Sequence, residues 1–405
     1  MTDVSRRHFI AGLGAAGAVG LAGCVAPTAA KPPPPAAVTN RPAATSLVHI
    51  FLYGGNDGLN TLVPYTDARY ATARGALALT PSDGLSVLGE NLALHPSLKG
   101  LAQQWTAGRL AVFRGVGFPG ADLSHFRSQD VWQTGRPDTT IGTGVYGRWL
   151  DTTGEPLGAV GIATTLPKMF RGAQQTGIAL GGGTLQIPGN ATYLDGFAKL
   201  ATADATDPQW AQALVRSDAD LLRAQQVLNP VLKAVRPPGL TLPSVTSALA
   251  RQLESLAQLI RSPAVPTRVY NLGLGGWDTH QNQKPTQAAL LTQVDQAVQA
   301  FLTDLAEDPR GKGTVVLIHS EFGRRVQANG QNGTDHGSAS VAFAVGRPVA
   351  GGFYGAQPRL DDLDAAGNLK YTTDLRGVYT TLITKILKGD PVPILNGSFP
   401  PVPFL

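Results

Sequence analysis

The chain has 405 residues, 43% of them hydrophobic, and a formal net charge of +5. That length and apolar content provide for one large α/β domain or two smaller ones and exclude a disordered protein. No dense Lys/Arg tract with interleaved aromatics is present, which argues against nucleic acid as a partner, and 48 glycines and 30 prolines imply many turns.

The first 24 residues have the layout of an export signal. Ser5-Arg6-Arg7-His8-Phe9-Ile10 precedes an apolar, small-residue run from Ala11 to Ala22, as in a twin-arginine leader. The run is short for a membrane-spanning helix, and it ends in Leu21-Ala22-Gly23-Cys24, which resembles a lipoprotein processing box. Cys24 is the only cysteine, so an internal disulfide is excluded and a lipid on Cys24 becomes the expected membrane tether. Gly12-x-Gly14-x-x-Gly17 fits a dinucleotide fingerprint but has no preceding strand and lies inside the leader, so it is discarded. Residues 25–45, rich in Pro, Ala and Thr, read as an extended tether, and a folded α/β domain is expected over 46–405.

Leu47–Tyr53 reads as a central parallel strand buried on both faces, running into Gly54-Gly55-Asn56-Asp57-Gly58. Asp57 is either a turn residue or a ligand just past the strand end. Pro96–Ala107 has helical spacing and Leu110–Val116 is strand-like, a β-α-β rhythm that predicts a doubly wound sheet. In Asp122–Ser128, Ser124 enters a helix that stops at Gly135, where a serine serves as N-cap or as nucleophile. His125 beside it is a base, a ligand or a packing residue. A helix is expected near Gly142–Asp151. The helical patterns at Asp207–Arg236 and Ser244–Arg261 predict a helical cap or insertion over about 190–265. Arg268–Leu272 and Thr314–His319 are strand-like, and between them Leu290, Val294, Ala297, Phe301 and Leu305 form one stripe on a helix over Thr286–Leu305. A strand near Ser340–Val345 and a helix through Leu375, Val378, Leu382 and Ile386 close the domain.

Acids and histidines gather where these strands end: Asp57, Asp278 with His280, His319 and Glu321, and Asp335 with His336. In a parallel sheet such ends share one edge, the usual place for an active site. Carboxylates with imidazoles suit a divalent transition metal such as Zn, Mn or Fe better than magnesium alone.

Taken together, GGNDGLN, SHFRSQDVWQTG, GWDTHQNQ, HSEFGRR and GTDHG, in this order after an export signal, resemble a group of exported bacterial proteins of unknown function within the alkaline phosphatase and sulfatase superfamily. The resemblance covers nearly everything from Leu47 onward. It implies a doubly wound, mainly parallel sheet sandwiched by helices and one or two divalent ions. It also implies hydrolysis of phosphate or sulfate esters, of a small molecule or a polymer, at the periplasm or cell surface. Residue by residue, Asp57, Asp278, His280, Glu321, Asp335 and His336 fall at the metal positions, Ser124 near the nucleophile, and His125 and Arg127 beside it. Arg127 or Arg324 is a candidate phosphate clamp or an ordinary ion pair. Phe322 stands where the superfamily has an imidazole. With Cys24 in the leader, a formylglycine made from cysteine is excluded. The competing expectation is a relative that has lost catalysis and serves as a cell-envelope binding or assembly factor.

Overall fold

The computed structural model describes residues 46–181, 184–185, 195–196, 198–199, 206–234 and 247–405. The leader expected at 1–24 with Cys24, the tether at 25–45 and part of the insertion expected at 190–265 lie outside the described residues. The chain divides into two compact units, one of residues 1–37 and 186–225, the other of 38–185 and 226–405. The sheet, the core and the candidate site all lie in the second.

Among the described residues the strands are β1 (Leu47–Leu52), β2 (Leu62–Val63), β3 (Ser86–Gly89), β4 (Leu92–Leu94), β5 (Leu110–Gly117), β6 (Ala159–Gly161), β7 (Ile178–Ala179), β8 (Val269–Leu274), β9 (Val315–Ser320), β10 (Arg324–Ala328), β11 (Thr334–His336), β12 (Ser340–Val345), β13 (Gly352–Tyr354) and β14 (Thr373–Asp374). The central sheet runs β13-β5-β12-β9-β1-β8-β6-β7, with β14 also on β5. Only β12 runs antiparallel to its neighbours, so the sheet is mixed and mainly parallel, as expected. β2, β4 and β3 form a small separate sheet, and β10 and β11 a two-stranded ribbon.

β1 sits between β8 and β9, in register from Leu47 opposite both Val269 and Val315. All six of its residues are buried, which is why the segment reads as a continuous apolar run rather than an alternating one. Alternation sends Leu47, His49 and Phe51 to one face. There Leu47 and Phe51 join a core with α2 (His125–Thr134), α3 (Val145–Thr153) and α6 (Leu375–Thr381, continued by π-helical turns over Leu382–Leu387). Other helices pack on one another: Lys99–Thr106, Ala248–Arg261 and Gln283–Asp304, the last being the helix expected from the Leu290–Leu305 stripe. Each Leu, Val or Phe buried in these layers contributes roughly 1.5–3 kcal/mol.

The parallel strands β1, β8 and β9 deliver Gly54-Gly55, Asp278 and Glu321 to one edge, the site-building edge of an open α/β sheet. His319 does not reach it. It lies on β9 with its side chain in the core, stacked on Trp132 with ring centroids 4.0 Å apart and 3.3 Å from His49 Nδ1. Glu321, two positions on, lies past the end of β9 at Ser320, where the alternation that keeps His319 in the core no longer sets the direction of a side chain.

Candidate metal centre

Three imidazoles converge on one carboxylate at this edge. His336 Nε2 lies 3.1 Å from His125 Nε2, 3.0 Å from His280 Nε2 and 3.1 Å from Asp278 Oδ1. His280 Nε2 is 3.0 Å from the same Asp278 oxygen, and His125 Nε2 is 3.5 Å from Asp278 Oδ2. One ligand atom from each of His125, Asp278 and His336 lies within 4.8 Å of the others.

The other nitrogen of every ring faces an acceptor. His125 Nδ1 is 2.8 Å from Glu321 Oε1, His280 Nδ1 is 3.1 Å from Asp335 Oδ1, and His336 Nδ1 is 3.0 Å from the Leu123 carbonyl. A carboxylate or carbonyl can only accept, so each Nδ1 donates, which in a neutral imidazole leaves the lone pair on Nε2. Three lone pairs and a carboxylate then point at one another. Such an arrangement is repulsive until a proton or a metal cation lies between them. At a zinc–nitrogen bond of about 2.0–2.1 Å, two ligands of a tetrahedral ion lie about 3.3 Å apart, close to the nitrogen separations seen here. The donor set therefore fits a divalent transition metal.

Local structure explains why these groups meet. Ser124 caps α2, its Oγ accepting from Arg127 N, and Leu123 before it adopts φ +61°. A left-handed conformation is strained for leucine, and here it belongs to the residue whose carbonyl holds His336. Leu123, Ser124 and His125 thus carry three consecutive roles: orienting one imidazole, capping the helix and supplying the next imidazole. On β1's exit, Gly54 and Gly55 have φ +124° and +76°. A Cβ on Gly54 would lie 2.5 Å from Asp278 N, and one on Gly55 would lie 2.4 Å from the Phe322 ring, so both positions demand glycine. Their amides donate to the two oxygens of Glu321, at 2.9 and 3.2 Å.

Glu321 is 1% exposed and also accepts from Ser320 Oγ and Gln129 Nε2. Expected as a ligand, it is placed behind His125 instead, with its oxygens spent on orientation. Asp335 stands behind His280 in the same way. Asp57 departs further from expectation. Its carboxylate caps Gly58–Thr61, pairs bidentately with the buried Arg74 and accepts from Gln283 Nε2, so both its oxygens are occupied away from the cluster. Nothing in the spacing of Arg74 announces this partnership.

Of the two readings of the arginines, phosphate clamp or ion pair, both side chains form ion pairs. Arg127 gives its guanidinium to Asp130, Pro137 O and Thr139 O, and so is not a clamp for phosphate. Arg324 is buried and donates to Asp278 Oδ1 at 2.7 Å. Burial pushes the Asp278 carboxyl up, but the hydrogen bond and charge of Arg324, helped by His336 and His280, outweigh it and hold the group at about 2. Burial lowers His336 against the opposing pull of Asp278. Phe322 closes the inner wall, with its ring 4.8 Å from that of His125 and 4.9 Å from that of His336. Asp278 is 47% and His280 41% exposed, so the cluster opens to solvent on that side.

Residues 259–376 match the model of a family described as Protein of unknown function (DUF1501). The matched segment holds Asp278, His280, Glu321, Asp335 and His336, while Ser124 and His125 come from outside it. No curated protein matches the chain by sequence. Among solved structures, the chain is similar to a protein in the alkaline phosphatase superfamily from Vibrio parahaemolyticus, at 9% identity and TM-score 0.38, covering 88% of this chain and 71% of that one. It is similar to the phosphonate monoester hydrolase of Agrobacterium radiobacter at 9% identity and TM-score 0.32, covering 88% and 78%. The zinc complex of the C-terminal periplasmic domain of EcEptC from Escherichia coli gives 10% identity and TM-score 0.32, over 75% and 73%. The chemistry of the site rests on its own residues.

Proposed function

We propose that this chain is an exported, metal-dependent hydrolase of phosphate esters, with sulfate esters second. The observation that carries this is the convergence of His125, His280 and His336 Nε2 on Asp278 while every Nδ1 is held by an acceptor. A zinc, manganese or similar ion held by these four residues supplies Lewis-acid polarisation of an ester oxygen and charge stabilisation. Glu321 and Asp335 fix the tautomers of His125 and His280, as acceptors behind metal-binding imidazoles commonly do.

Ser124 is the proposed nucleophile. It stands at the N-terminus of α2, where free amides favour a negatively charged group, and directly before His125. Attack by its Oγ forms an oxygen–phosphorus bond and breaks the ester bond, the serine proton leaving with the alcohol; water then attacks the phosphoserine, releasing phosphate and returning a proton to Oγ. With the only cysteine at position 24, a serine route fits the chain better than a cysteine-derived one. Residues 1–24 support export, with Cys24 lipid-anchoring the protein at the periplasm or cell surface, and the substrate is proposed to be a small-molecule or polymeric ester.

A second function is favoured by one specific observation: the acids Asp57 and Glu321 are saturated by internal donors, as in a relative retained for binding or envelope assembly. One experiment separates the two. The purified mature protein is analysed for bound metal and assayed on phosphomonoester, phosphodiester and sulfate ester panels, beside Ser124→Ala. Bound metal with turnover lost in Ser124→Ala supports the hydrolase. Turnover unchanged in that variant sinks the nucleophile assignment, and metal-free, inactive protein favours the binding factor.

A further inference from the structure

Arg324 occupies a cage of oxygens at the centre. Its Nε donates to Gly55 O at 2.6 Å and Nη1 to Thr334 O at 2.9 Å, while Nη2 faces Gly54 O, Trp277 O at 3.0 Å and Asp278 Oδ1 at 2.7 Å. Four backbone carbonyls and one carboxylate oxygen, from the loops after β1 and β8 and from β11, are the donor types of a hard-cation site. The side chain that fills it is fully buried. Backbone carbonyls turned inward this way need donors, and the guanidinium, with its fork of N–H groups, supplies them.

We infer that the guanidinium of Arg324 is a built-in cation of this centre, so that the site takes one exchangeable divalent ion and no second. This rests on the proposed metal site and fixes its stoichiometry. Asp278 is the shared element. Arg324 claims Oδ1 from the buried side, and the imidazoles approach from the solvent side. The imidazoles that hold the first ion and the guanidinium of Arg324 already share Oδ1, so a second divalent ion drawing on it would meet both positive charges at short range. Asp57 offers no alternative seat, because Arg74 already holds both its oxygens. Two acids at this edge therefore carry resident guanidinium groups, and what remains open is the imidazole face.

The test is a metal count on the wild-type mature protein, loaded with excess zinc, exchanged into metal-free buffer and measured by elemental analysis against protein concentration. One zinc per chain is the expected result. Two zinc ions per chain overturn the inference while leaving the metal centre standing, and none overturns the centre and the inference together. Arg324→Ala supplies an independent readout. Emptying the cage leaves its oxygens for a hard cation, so millimolar calcium raises the melting temperature of the variant by about 2 °C or more beyond its effect on wild type. An equal calcium response in the two proteins shows that the oxygens do not form a cation cage. Should the variant not fold, the wild-type zinc count decides alone.

Discussion

Glu321 accepts a hydrogen bond from His125 Nδ1 at 2.8 Å, although the two residues are 196 positions apart in the chain. The bond ties α2 to the end of β9 and turns His125 Nε2 toward Asp278. Trp132, about two turns further along the same face of α2, donates from Nε1 to Glu321 O at 3.1 Å, and Gln129 donates to Oε1. One helix face therefore grips a single acid. Glu321→Gln keeps the shape but loses the charge that polarises His125, and zinc affinity is expected to fall about 10–100-fold. Competition with a chromophoric chelator measures this; unchanged affinity would remove Glu321 from the orientation of the centre.

Asp57 provides the opposite expectation. Asp57→Asn leaves Arg74 buried without its counter-charge, a loss worth about 3–5 kcal/mol by analogy with other broken buried pairs. Zinc affinity stays at the wild-type value. Chemical denaturation and chelator competition on the same preparation check both halves, and a tenfold loss of affinity would return Asp57 to the ligands.

Ser124→Ala removes both the capping oxygen and the proposed nucleophile. Stability falls by about 1 kcal/mol, as for a lost N-cap, and bound zinc is retained. Turnover of any ester cleaved by wild type disappears. Retained turnover with the same stability loss would leave Ser124 as a cap and nothing more.

The core imidazoles predict a pH dependence. Burial holds His49 at about 3, and His319, buried and beside His49, lies well below its ordinary value. Burial also lowers His95, to about 4. Because these values are depressed in the fold, the unfolded chain takes up protons first as pH drops. Their contribution is complete above about pH 6.5 and is lost as pH falls from there toward 4, at up to about 1.4 kcal/mol per pH unit for each group. Urea unfolding of metal-free protein at pH 7, 6 and 5 tests this, with His49→Gln expected to flatten the slope by about one proton. An identical slope in the variant would contradict the assignment.

Much of the sheet was legible because buried parallel strands are written as apolar runs. The stretch expected at Ser340–Val345 forms β12 at those residues, and the helix expected at Thr286–Leu305 forms at Gln283–Asp304. The grouping of Asp278, His280 and His336 was legible for the same reason, since strand ends share an edge. What the residues could not disclose is direction. His319 and Glu321 differ by two positions, yet one side chain enters the core and the other reaches the site. Arg74 carries no signal in the sequence, and Arg324 reads there as a phosphate clamp or an ion pair, because their acceptors, Asp57 and the carbonyls of Gly54, Gly55, Trp277 and Thr334, are brought to them only by the fold. Leu123 carries no signal at all for its left-handed backbone.

A transition metal held by His125, His280, His336 and Asp278 would be visible to X-rays in place. Anomalous diffraction from zinc-loaded crystals, recorded on both sides of the zinc absorption edge, tests it most directly. An anomalous peak bounded by the three Nε2 atoms and the Asp278 carboxylate is expected, and it is absent from His336→Ala crystals prepared alike. Zinc-loaded wild-type crystals with no peak among these four side chains would contradict it.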